Sequence, residues 1–148
     1  MTNLVGRLTV LTLAIWTLGL TQADAASVLD PWRWKARLLV LSAPSAQDPA
    51  LARQTAWLQA QRPGLGERDL VVIRAIGERA QTSDGQVLDA ALVRAAAGLP
   101  ADRFGAALIG KDGGIKLHRA APLDPGELFS VIDAMPMRQD EMKRAAGR

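Results

Sequence analysis

The sequence predicts an α/β domain of order β-α-β-α-β-β-α, a small mixed sheet with helices on both faces. Two observations lead there. Two short apolar runs, "RLLVL" (37–41) and "DLVVIRAIG" (69–77), are separated by a stretch with helix punctuation at both ends. Two further apolar segments flank Lys111-Asp112-Gly113-Gly114, which has the chemistry of a tight hairpin turn. Strands separated by helices pair in parallel through right-handed crossovers, whereas a tight turn forces antiparallel pairing, so the sheet must be mixed.

The N-terminus reads as a targeting segment. Arg7 precedes the apolar run "LTVLTLAIWTLGL", and Ala23-Asp24-Ala25 offers small residues at a cleavage site before Ala26. A run of about 13 residues falls short of the roughly 20 that span a bilayer as a helix. The expectation is a signal peptide over 1–25, a single domain over 26–148, and a periplasmic or secreted location with no stable membrane span after cleavage. An uncleaved anchor is the alternative. The remaining length supports one real core.

Composition narrows the chemistry. The chain has no cysteine, so an exported form has no disulfide staple and no thiol for peroxide reduction or disulfide exchange. The net charge of +3 survives removal of 1–25, because one Arg and one Asp leave together. The basic residues are spread out without a Lys/Arg stripe, which argues against nucleic acid as a partner.

The elements follow in order. "RLLVL" is continuously apolar, as expected of a strand covered on both faces. Asp48 and Pro49 are an N-cap and first-turn proline. Leu51, Thr55 and Leu58 share a face, and "RPGLG" (62–66) stops that helix. "DLVVIRAIG" is rich in β-branched residues and forms the second strand. "ERAQTSDGQ" reads as a polar loop. In "VLDAALVRAAAGL", Leu88, Ala91, Leu92, Ala95 and Leu99 lie on one helical face, with Gly98 and Pro100 at its end. The hairpin over 104–120 comes next. The last helix opens with Asp124, Pro125 and Glu127 as cap, first-turn proline and capping-box acid, and buries Leu128, Ile132 and Met135. Pro136 cannot donate to the carbonyl of Ile132, so the helix kinks or ends near Met135.

This order is that of the thioredoxin fold. "LSAPSAQDP" (41–49) is similar to the loop in which the first thioredoxin strand leads into Trp-Cys-Gly-Pro-Cys, keeping Ala43 and Pro44 but placing Ala46 and Pro49 where the redox cysteines would lie. The cis-proline that precedes the third strand in those proteins has Pro100 as its nearest counterpart, four residues ahead of Phe104. A closer resemblance covers nearly the whole exported part. "LDPWRWKARLLVLSAPS", "ALIGKDGGIKLH" and "VIDAMPMRQDEM" resemble the blocks of the exported bacterial domain-of-unknown-function family 4174, also described as P-DUDES. Related domains occur in animal extracellular proteins with sushi repeats. The resemblance implies a thioredoxin-like fold and export; it brings no activity, cofactor or catalytic residue.

The candidate site residues are Ser42, Pro44, Ser45, Asp48, Trp32, Trp34, Met137 and Arg138. Ser42 and Ser45 lie at the carboxyl end of a strand, where ligands bind open α/β sheets. A serine nucleophile needs a base within reach, and the single histidine, His118, falls in the last hairpin strand, an edge strand in this topology. No catalytic residue is therefore assigned, and the serines read as loop residues that cap the next helix. His118 cannot make a zinc site without partner ligands, and Asp112 among glycines is a turn residue, so no metal is expected. Met135, Met137 and Met142 bracket Pro136 near Arg138; they form an adaptable binding surface or pack the last helix on the sheet. Asp133 and Arg138 are placed to pair across the kink. Trp32 and Trp34 alternate with Arg33 and Lys35, which puts both rings on one side of an extended chain, as a stacking platform or as a cover for the core.

The reading this favours is a non-enzymatic exported binding or interaction domain of unknown ligand, without cofactor, whose partner is another envelope protein or component. A peroxiredoxin-like or redox-accessory enzyme working without its own cysteines is one alternative; a small-molecule carrier is the other.

Overall fold

The computed structural model describes residues 28–147, so the proposed signal peptide lies outside the described residues. Six strands form one sheet: β1 (Arg37–Ala43), β2 (Leu70–Ile76), β3 (Arg79–Thr82), β4 (Val87–Asp89), β5 (Gly105–Ile109) and β6 (Ile115–Arg119). Their order is β4-β3-β2-β1-β5-β6. β1 runs parallel to β2, from Arg37 opposite Leu70 to Ala43 opposite Ile76, and antiparallel to β5, from Leu38 opposite Ile109 to Ser42 opposite Gly105. β6 completes the antiparallel hairpin with β5 and forms one edge. The block β2-β1-β5-β6 is the mixed, thioredoxin-like arrangement that the sequence predicts.

All seven residues of β1 are buried, which explains its continuous apolar character. On one face Leu39, Leu41 and Ala43 pack with Leu51 and Leu58 of α1 (Pro49–Ala60) and with Leu128 and Ile132 of α4 (Pro125–Asp133). On the other, Leu38 and Val40 meet Ala90, Val93 and Ala97 of α3 (Ala90–Ala97). Asp48 and Asp124 cap their helices as expected, each accepting two backbone N–H bonds. α4 stops before Pro136, where α5 (Pro136–Ala146) begins. Among the described residues no helix is long and apolar enough to cross a membrane.

Four local expectations need correction. The "polar loop" after β2 is the hairpin β3–β4, added to the β2 edge. Only Ala80 and Thr82 of β3 turn inward, so an apolar signal was nearly absent. "RPGLG" does not merely stop α1; it forms the short helix α2 (Arg62–Glu67). α3 buries Ala90, Val93, Arg94 and Ala97 rather than the leucine face. Leu88 belongs to β4 and Leu99 lies past the left-handed cap Gly98 (φ 64°), so the helix is too short to hold the five-residue stripe. Its alanines let it approach the sheet closely. Glu127 turns to Arg119 of β6 instead of reaching back to the Asp124 N–H. Finally, a buried glutamine was missed: Gln54 of α1 donates to the Leu123 carbonyl (3.1 Å) and accepts from the Leu123 N–H (2.6 Å).

Candidate functional site

The expected site begins at the carboxyl end of β1. Ser42 is not a loop residue that caps a helix; it is the penultimate residue of the strand and fully buried. Its hydroxyl donates to the Pro100 carbonyl (2.6 Å) and accepts from Arg94 Nε (2.8 Å). Arg94 also donates from Nη2 to the Ala75 carbonyl (3.0 Å) and, more weakly, to that of Ala43 (3.5 Å). Burial pushes the Arg94 guanidinium below its ordinary pKa, and among the described residues no carboxylate pairs with it. Pro44, Ser45 and Ala46 are exposed, and Asp48 spends its carboxylate on Ala50 and Leu51 N–H (2.9 and 3.1 Å). His118 does sit on edge strand β6, with Nε2 2.7 Å from the Ala97 carbonyl. The hydroxyl proton of Ser42 is committed to Pro100 and the imidazole to a backbone carbonyl, so no nucleophile and base meet here.

The other four predicted residues gather at the opposite end of β1, some 20 Å away for a strand of this length. Trp32 ends a 3-10 turn and packs against the α3-side core. Trp34 lies outside any strand, has φ 64° and is 61% exposed, so the expected alternation fails and the two rings do not make one platform. Arg33 rests over the Trp34 ring (5.8 Å). Met137 is exposed and, with Met135, lines a cavity of about 310 Å³ beside Arg37 and Lys111.

Arg138 belongs to an ion network that sequence reading found only in part. It reaches Asp133 (3.2 Å), as expected, and the Glu67 carbonyl (2.8 Å). Asp133 is held more tightly by Arg68 (2.6 and 3.0 Å), whose guanidinium stacks on Phe129 (4.2 Å). Glu141 of α5 accepts two bonds from Arg37 (both 3.2 Å) and one from Lys111 (2.8 Å), which also holds Asp69 (2.8 Å). Burial would raise the Asp133 and Glu141 carboxyls, but their cations outweigh it and both lie below the ordinary range. Burial likewise opposes charge on Lys111, yet Asp69 and Glu141 hold it above its usual value. The stretch "DAMPMRQDEM" thus ties α5 to the starts of β1 and β2 and to the β5–β6 turn.

A third region was missed altogether. A cleft of about 450 Å³ opens between α1, α2 and β2, with Leu41, Leu58, Leu65, Leu70 and Val72 as apolar walls and Arg62 and Arg74 among its lining. The available signal was Arg74, a cation inside the strand "LVVIRAI" on the face that Leu70 and Val72 share. Among the described residues no group of three or more His, Asp or Glu side chains is placed to hold a metal.

With the geometry in place, residues 28–141 match the family model described as Domain of unknown function (DUF4174). The chain belongs to that family. The match ends at Glu141, the carboxylate that closes the ion network. The chain is 30% identical over 124 residues to the Sushi repeat-containing protein SRPX of Rattus norvegicus, covering 80% of this chain and 27% of that protein. It is 30% identical over 129 residues to SRPX2 of the same species (83% and 28%). The Coiled-coil domain-containing protein 80 of Danio rerio is 28% identical over 133 residues (77% and 15%). The chain therefore spans little more than a quarter, or less, of these relatives. No solved structure matches.

Proposed function

We propose that this chain is an exported, non-enzymatic binding domain, a thioredoxin-like frame that holds a ligand or another envelope component and performs no reaction with its own side chains. One observation carries the reading. At the strand end where thioredoxin-type proteins keep their chemistry, Ser42 is sealed between Pro100 and Arg94, and the two redox positions hold Ala46 and Pro49. The leader composition of 1–25 supports export to the periplasm or medium. The relatives support a binding role: in proteins whose names carry sushi repeats, the matching region is one part among others.

The test compares the purified protein with its Ser45→Ala/Asp48→Asn variant for peroxide consumption and thiol–disulfide exchange. The expected result is no turnover by either. A rate in the parent that the loop variant abolishes would overturn the reading. Fractionation of expressing cells checks export: a shortened chain outside the cytoplasm is expected, and a full-length cytoplasmic one contradicts it.

A further inference from the structure

The cleft lies where α1 and α2 pass over β1 and β2. α1 and α4 cover β1 and β5, while the β3–β4 hairpin extends the sheet beyond them. Val72 of β2 and Leu65 of α2, both only partly buried, line the cleft above the buried Leu41, Leu58 and Leu70. At about 450 Å³, the space lies within the size range of small-molecule sites.

Charge says what kind of molecule fits. Arg74 is half-buried and follows Val72 along the cleft face of β2; its register partner on β3 is Gln81, not an acid. Arg62 opens α2 and shares the lining. Among the described residues neither arginine has a carboxylate partner, and no Asp or Glu lines the cleft. The half-buried cations at the start of β1 behave differently: Arg68, Lys111 and Arg138 are all matched to acids. An arginine at an inward strand position without an acid leaves a guanidinium fork available to a carboxylate or phosphate.

We infer that the α1–α2–β2 cleft binds a single-chain anionic amphiphile, its apolar chain against Leu65 and Val72 and the edges of Leu58 and Leu70, and its headgroup on Arg74, with Arg62 beside it. This rests on the binding-domain reading and gives it a ligand class. A bound acid would complete the charge pairing that the fold leaves open here. The chemistry is shared by free fatty acids and by anionic lipids, and the test separates them.

The exported chain is titrated calorimetrically with dodecanoate below its micelle concentration, with dodecyltrimethylammonium and dodecyl maltoside as charge controls. Saturable binding of one dodecanoate per chain is expected, with the cationic and neutral probes weaker by at least about tenfold. Arg74→Gln, with unchanged thermal unfolding, should weaken dodecanoate by at least about tenfold, the loss of a charge-assisted hydrogen bond. Thr55→Phe, which fills the cleft from α1, should abolish binding. Equal affinity for the three headgroups, or binding indifferent to both substitutions, overturns the inference. So does association with phosphatidylglycerol vesicles without binding of monomeric dodecanoate, which would mark a membrane-surface contact instead. Turnover at the Ser45–Asp48 loop would sink the non-enzymatic reading without touching these results.

Discussion

Arg37 and Arg94 are both withdrawn from water at opposite ends of the sheet, one 1% and the other 8% exposed, and their surroundings differ in kind. Arg37 faces Glu141 through two bonds, and that carboxylate is shared with Lys111. Arg94 meets a serine hydroxyl and two backbone carbonyls. A guanidinium keeps its charge in either setting. At the amino end of β1 that charge is neutralised across elements distant in sequence, so the pairing fastens α5 to the sheet. At the carboxyl end it is only hydrogen-bonded, and it caps the ends of β1 and β2 while holding the Ser42 hydroxyl in place. One end is an ionic clasp, the other a polar plug.

The largest expected effect comes from breaking the clasp. Glu141→Gln leaves Arg37 buried without an acid, and removing one partner of a buried pair costs about 3 kcal/mol or more. Urea unfolding at neutral pH measures it. A loss under about 1 kcal/mol would rank the network with ordinary surface pairs and dissolve the contrast. Ser42→Ala tests the plug. It orphans the Pro100 carbonyl and Arg94 Nε, for an expected loss of about 1–2 kcal/mol, smaller than that of Glu141→Gln by the same measurement. Asp48→Ala, which touches only the cap of α1, should cost about 1 kcal/mol.

Acid sharpens the comparison with a smaller signal. Glu141 and Asp133 have folded pKa values below their unfolded ones. The stability they supply is therefore present above the unfolded values of about 4 and is lost as pH falls through the folded ones. Lys111 is raised, so its share is present below an unfolded value of about 10.4 and fades as pH rises through the folded one. Stability followed from pH 7 to pH 2 should fall less steeply in Glu141→Gln than in the parent. Arg94→Met should keep the parent's slope, because no carboxylate pairs with Arg94 among the described residues.

What the sequence disclosed was local. β1, the Asp48 and Asp124 caps, the glycine turn at 111–114 and the break at Pro136 are each written in a few adjacent residues, and each stands in the structure. The Asp133–Arg138 pair, five residues apart, was legible for the same reason. The clasp was not, because Arg37 and Glu141 are separated by 104 residues and nothing in either neighbourhood points to the other. β3 escaped because an edge hairpin needs few inward residues, and Ala80 and Thr82 carry little apolar signal. The predicted site residues divide between the two ends of β1. Periodicity places a residue on a face, not at an end. Arg74 was visible as a cation within an apolar strand, but its cleft depends on where α1 and α2 settle.

The claim that the thioredoxin-type strand end is sealed can be tested with one thiol, because the chain has no cysteine of its own. In Ser42→Cys, reaction of the single thiol with Ellman's reagent is followed in the native protein and in urea, with Ala46→Cys as the exposed control. A thiol at position 42 that reacts at least about a hundredfold more slowly in the native protein than in urea, while position 46 reacts at nearly equal rates in both, is the result predicted for a buried, plugged site. Native reactivity at position 42 matching that at position 46 would show an open site and contradict the account.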